Sequence, residues 1–137
     1  MYFARIAALV AATLPLTTAA LACATEDEIN SLFQQLHGNY GDILPDLTCE
    51  DAMGSDNVVK LTICESDDDL APLGQLAAQA YVYAYENATG RETDHANPPR
   101  DEAMIAARDA CTDAECICDA MKTSINDSLG GLSPFGG

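Results

Sequence analysis

Apolar residues recur along this chain at helical spacing, and no segment alternates as a surface strand would. Ile29, Leu32, Phe33 and Leu36 fall at i, i+3, i+4 and i+7, one stripe of a helix predicted from about Glu26 to His37. Thr25 with Glu28 three residues on makes a capping box at its start, and Gly38 offers a left-handed stop. Residues 38–60 lose the period and are punctuated by Gly41, Pro45, Gly54 and Asn57. Val58 to Ile63 has strand-like composition, but no partner strand is visible. The segment reads as a connector into Cys64 with at most a helical turn.

The period resumes at a second helix, from about Asp69 to Ala88. Ser66 and Asp67 to Asp69 provide an N-cap and negative charge at the positive end of the helix dipole. Pro72 is tolerated only in a first turn. Leu70, Leu73, Leu76, Ala77, Ala80, Tyr81 and Ala84 form the predicted buried face, with Tyr83 pointing elsewhere and Gly90 ending the helix. A polar loop closed by Pro98-Pro99 leads to a third helix, about Arg100 to Ala110, with Ala103, Met104 and Ala107 inward. Thr112 and Glu115 suggest a second capping box opening a fourth helix to about Leu129. Cys116, Ile117, Ala120, Met121, Ser124 and Ile125 supply its apolar side. The Gly/Pro-rich tail from Leu132 reads as loose. The expectation is an all-α fold, a small bundle of about four helices.

Residues 1–22 stand apart. Arg5 gives a basic start, Ile6 to Leu16 an apolar core, and Ala20-Leu21-Ala22 a small-x-small cleavage pattern. This reads as a signal peptide, leaving a single domain at 23–137 that is periplasmic or secreted. The apolar run is too short for a transmembrane helix, and no second long one follows. Ala22-Cys23-Ala24 also fits a peptidase and would remove Cys23. A lipoprotein signal acylated at Cys23 is a third reading, with Ala20 where Leu is expected.

Six cysteines in a short exported chain predict three disulfides, which a thin, Ala-rich core needs. Six cysteines allow fifteen pairings. Local placement favours Cys111 with Cys116 across the turn before the last helix, and Cys49 with Cys64 across the connector. Cys23 and Cys118 remain, since residues two apart on a helix face nearly opposite ways. Zinc is the competing reading of Cys111, Cys116 and Cys118, without a Cys-x2-Cys knuckle or a nearby His.

Charge narrows the partners. The chain carries −16; without Arg5, five basic side chains face 22 acidic ones, a balance of −17. That argues against nucleic acid and anionic membrane, whose phosphates need Lys and Arg, and favours either a basic partner or plain solubility.

From Cys49 to about Ser128 the sequence resembles the LprI-type lysozyme-inhibitor domains, small exported bacterial domains. The residues that carry the resemblance are Cys49, Ile63-Cys64-Glu65-Ser66-Asp67, Leu70-Ala71-Pro72-Leu73, Tyr81 or Tyr85, Ala107-Arg108-Asp109-Ala110-Cys111 and Cys116. The family's Trp falls at about Ile105 and its Asp after the Leu pair at Gly74, while Cys23 and Cys118 are additional. The resemblance implies a shared helical fold and, for function, inhibition of a lysozyme.

Catalytic chemistry has little footing. His37 ends a helix, where a cation is stabilised, and His95 sits in a polar loop; neither neighbours a Ser or Cys nucleophile in sequence. Asp67-Asp68-Asp69 lacks the Gly and Glu of an EF-hand loop, so capping is its expected role. Tyr81, Tyr83 and Tyr85 alternate on one helix and cannot all be core, leaving some for a contact patch. No catalytic residue, cofactor or metal is expected. The expected function is non-enzymatic binding of a basic lysozyme-type hydrolase through Glu65, Asp67, Asp68 and Asp69. A lipid or small-molecule carrier and a structural envelope protein are the alternatives.

Overall fold

A computed structural model describes residues 22–136. The expected signal segment therefore lies outside the described residues except for Ala22. Within those residues the chain forms α1 (Glu26–Tyr40), a 3-10 turn (Ala52–Gly54), α2 (Val58–Cys64), α3 (Leu70–Thr89), α4 (Glu102–Asp109) and α5 (Ala114–Ser128). The fold is all-α, as the periodicity predicted, and no described helix is long and apolar enough to cross a membrane.

The Thr25 capping box forms as expected. Glu28 N–H donates to Thr25 Oγ1 at 3.2 Å, and Thr25 N–H to Glu28 Oε1 at 2.9 Å. The helix does not stop at Gly38 but runs on to Tyr40. The necessary glycine is Gly41, where a Cβ would stand 2.6 Å from the His37 carbonyl.

The connector is more helical than its composition suggests. Asn57 caps α2 by accepting from Lys60 N–H at 3.1 Å, and Val59 and Ile63, at i and i+4, are buried. Burial on one face overrides the β-branched preference for strand.

Helix α3 is central, packing against α1, α2 and α5. Its buried surface is therefore wider than one stripe. Gln79 and Val82 join the buried set, whereas Tyr81 and Ala84 are only half-buried. Asp69 caps it, Pro72 sits in its first turn, and Gly90 ends it at φ 67°. Gly74 lies where a Cβ would meet Met121 Cε at 3.3 Å, so α3 and α5 approach closely there.

Four expectations about the C-terminal part of the chain are corrected. On α4, Met104 is buried but Ala103 and Ala107 are exposed, and Arg108 is the other buried residue. Helix α5 opens at Asp113, not Thr112: the Asp113 carboxylate accepts from Cys116 N–H at 2.8 Å. With the start one residue later, Glu115 no longer occupies the position that completes a box. Cys116 faces solvent, Ala120 is half-buried, and the tail expected to be loose is docked. Ser133 Oγ donates to Asn126 Oδ1 at 2.8 Å, and Lys122 Nζ lies 5.1 Å over the Phe135 ring.

The disulfides are Cys23–Cys118, Cys49–Cys64 and Cys111–Cys116, with no free thiol. All six sulfurs are thus spent, which removes the zinc reading. Three disulfides are the mark of an oxidising extracellular or periplasmic environment.

The irregular segment between α1 and α2 is held by arginines. Arg108 is 2% exposed. Its Nη1 and Nη2 donate to the two Asp46 oxygens at 2.7 and 2.6 Å, and its Nε and Nη2 to Asp109 Oδ1 at 3.0 and 2.9 Å. Arg100 Nη1 donates to the Leu44 carbonyl at 2.7 Å. Burial opposes the charge on Asp46, but the Arg108 guanidinium outweighs it and holds the carboxyl below its ordinary value.

Two stability outcomes follow. Asp46→Ala leaves the buried guanidinium with Asp109 as its one carboxylate and should cost about 3 kcal/mol in urea unfolding; a loss within error would show that Arg108 is not dependent on Asp46. Removing disulfides pairwise to Ala should rank by the loop each closes. Separations of 95, 15 and 5 residues correspond to about 4.7, 3 and 2 kcal/mol on the loop-entropy estimate. The same unfolding experiment checks that order.

Candidate functional site

The turn from α2 into α3 carries the four acidic residues expected to meet a partner. Glu65 is the C-cap of α2, and its N–H donates to the Leu61 carbonyl. Ser66 accepts through its carbonyl from Ala71 N–H at 3.1 Å, which tightens the chain into α3. Glu65, Asp67 and Asp68 are exposed, and their side chains make no hydrogen bond among the described residues. Asp69 is different. Its Oδ1 accepts from Leu70 N–H at 2.6 Å and its Oδ2 from Cys23 N–H at 2.7 Å. It caps α3 and ties down the first residues of the described chain, so it is committed to structure. Beside the turn lies an open hollow of about 590 Å³ bounded by Ser66, Asp69, Glu115, Cys118, Asp119 and Lys122.

A second polar cluster sits between α1, α3 and the 90–99 loop, and sequence reasoning did not assemble it. Glu86 is its hub. Its Oε1 accepts from Thr93 N–H at 2.9 Å and Thr93 Oγ1 at 3.0 Å, and its Oε2 from the Tyr40 hydroxyl at 3.1 Å. His95 bridges two carboxylates, with Nδ1 2.9 Å from Asp42 Oδ1 and Nε2 3.3 Å from Glu86 Oε1. Two acceptors require two ring donors, which is the imidazolium form. The Asp42 hydrogen bond, helped by Glu86 and opposed by partial burial, raises the His95 pKa above its usual value. The Thr93 amide, with the other donors, holds the Glu86 carboxyl below its own. Burial and the neighbouring Glu86 push the Tyr40 hydroxyl up. Every partner here is an acceptor carboxylate or a donor to one, so the cluster clamps the loop to α1 and α3.

The other singled-out residues fall as follows. His37 is exposed and stacks on Phe33, ring centroids 4.0 Å apart. Tyr83 meets Tyr40 edge to face at 5.9 Å, and Tyr81 and Tyr85 lie 6.5 Å apart on the neighbouring side of α3. Among the described residues no three His, Cys, Asp or Glu side chains converge as a metal site. The burial of Arg108 has a faint signal in the sequence, an arginine four residues after Met104 within the apolar period of α4. The clamp residues run from Tyr40 to His95, and α1, the segment after it and the loop beyond α3 lie too far apart for any spacing rule.

No protein family, curated protein or solved structure matches this chain.

The His95 clamp gives a pH dependence of definite sign. A pKa raised above 6.5 means a stabilising contribution fully present below pH 6.5 and lost as pH rises through the folded value. Relative to wild type, His95→Gln should therefore lower Tm most near about pH 5.5 and much less near about pH 8.5. A pH-independent difference in thermal melts would count against the ion pairs.

Proposed function

We propose that this is an exported, non-enzymatic binding domain whose target is a basic cell-wall hydrolase of the lysozyme type, as the sequence resemblance implies. The observation that carries the reading is a carboxylate surface left largely unneutralised. Of 22 acidic side chains, ion pairs among the described residues engage Asp42, Asp46, Glu86 and Asp109. Three of the five cations beyond Arg5 are turned to the protein itself: Arg108 to Asp46, Arg100 to Leu44, Lys122 to Phe135. Such a surface steers a basic partner in and repels polyanions.

The four cysteines that carry the resemblance are bridged, Cys49 with Cys64 and Cys111 with Cys116. The signal-like residues 1–22 point to export into the periplasm or the medium. A carrier would need an enclosed apolar chamber, whereas the hollow beside Asp69 opens to solvent between carboxylates. Of the four residues assigned to contact, Glu65, Asp67 and Asp68 are available, and Asp69 supports them from behind.

The test is titration of the oxidised mature chain against a panel of lysozymes, with binding and lysis read at low and physiological salt. Saturable inhibition surviving physiological salt is expected. Changing Glu65→Gln, Asp67→Asn and Asp68→Asn together should slow association about tenfold and flatten its salt dependence. Attraction confined to low salt, without inhibition, would sink the reading.

A further inference from the structure

Ala103 and Ala107, which the sequence pattern turned inward but the fold leaves exposed, line one groove with half-buried Ala120 and buried Met104. Ala103, Met104 and Ala107 of α4 face Ala120 of α5 across a hollow of about 450 Å³. The Cys111–Cys116 disulfide bounds it as well. Asp101, Asp119 and Asp127 lie along it, and its lining has no Lys or Arg. Asp101 is already engaged, capping α4 and accepting from Ser124 Oγ at 2.6 Å. Asp119 and Asp127 are exposed and unpaired among the described residues.

Small apolar side chains and exposed carboxylates thus lie side by side along the groove, offering an apolar contact and a charge contact to the same occupant. We propose that this groove docks a cationic amphipathic helix of a protein partner, with aliphatic side chains against Ala103, Ala107 and Ala120 and Lys or Arg at Asp119 and Asp127. Docking of this kind reads an apolar stripe by shape and its flanks by charge. Asp119 also bounds the hollow beside Ser66 and Asp69, which Lys122 lines as well, so the groove and the α2–α3 turn lie on either side of that hollow. The inference rests on the basic-partner reading above and gives it a site: the exposed turn steers, and the groove holds.

The experiment uses two probes at physiological ionic strength, a synthetic Lys/Leu amphipathic helix and a lysozyme, each with the oxidised mature chain. Amide NMR shifts on adding the peptide should cluster at 103–107 and 119–127. Ala107→Leu, which fills an exposed position without entering the core, should weaken the peptide at least about tenfold, mainly through faster dissociation. Asp67→Asn with Asp68→Asn, the same charge change as Asp119→Asn with Asp127→Asn, should slow association and leave the shift pattern in place. Shifts spread over the surface, or an Ala107→Leu chain that binds as wild type, would overturn the groove. Lysozyme binding insensitive to Ala107→Leu would overturn it while sparing the hydrolase reading. Groove-confined peptide binding with no lysozyme binding would do the reverse.

Discussion

A buried guanidinium sets the terms for this molecule. Arg108 enters a core built largely of Leu, Ala and Met, and a bare cation there would be untenable. Asp46 answers it with both oxygens, yet Asp46 belongs to a stretch with little regular structure of its own. The charge on α4 therefore dictates where the segment between α1 and α2 must lie. With that segment fixed, Ile43 is fully buried and Asp42 is brought to His95. A single desolvated ion pair thus positions both a piece of core and the polar clamp on the far loop. Cys49–Cys64 secures the other end of the same segment against α2.

What was legible in the sequence was local. Helical period, the Thr25 box, the Asp69 cap and the Gly90 stop all depend on residues within a turn or two of each other, and all appear in the structure. The misses share a cause. Val58 to Cys64 is helical because α3 offers a face for Val59 and Ile63, which composition cannot reveal. Thr112 and Asp113 are both good cap residues side by side, and it is the Asp113 carboxylate that meets the Cys116 amide. Ala103 and Ala107 have the right period for a core but sit on the flank that α5 does not cover. The Glu86–His95–Asp42 clamp was illegible because its members meet only after α1, α3 and the loop have docked.

The acidic residues divide by task rather than by location. Thr25 aside, the described caps of α1, α3, α4 and α5 draw on Asp or Glu: Glu28, Asp69, Asp101 and Asp113. Others neutralise Arg108 and His95. Those uses consume carboxylates one at a time and leave the remainder facing water with few cations nearby. The surface field is thus partly a by-product of how the helices begin. The same residue type that ends helical backbone frustration gives the molecule its long-range signature.

The Cys23–Cys118 bond has a temporal side. A chain made from its N-terminus presents Cys23 ninety-five residues ahead of its partner, with Cys49, Cys64, Cys111 and Cys116 arriving in between. An oxidant acting in order of arrival would join Cys23 to Cys49, a linkage absent from the fold. The native set is reached only if Cys23 is held reduced until α5 has formed, or if early bonds are exchanged later. Maturation of so small a domain is therefore tied to the thiol-exchange capacity of the compartment that receives it, and overproduction in a compartment poor in that capacity would trap scrambled chains.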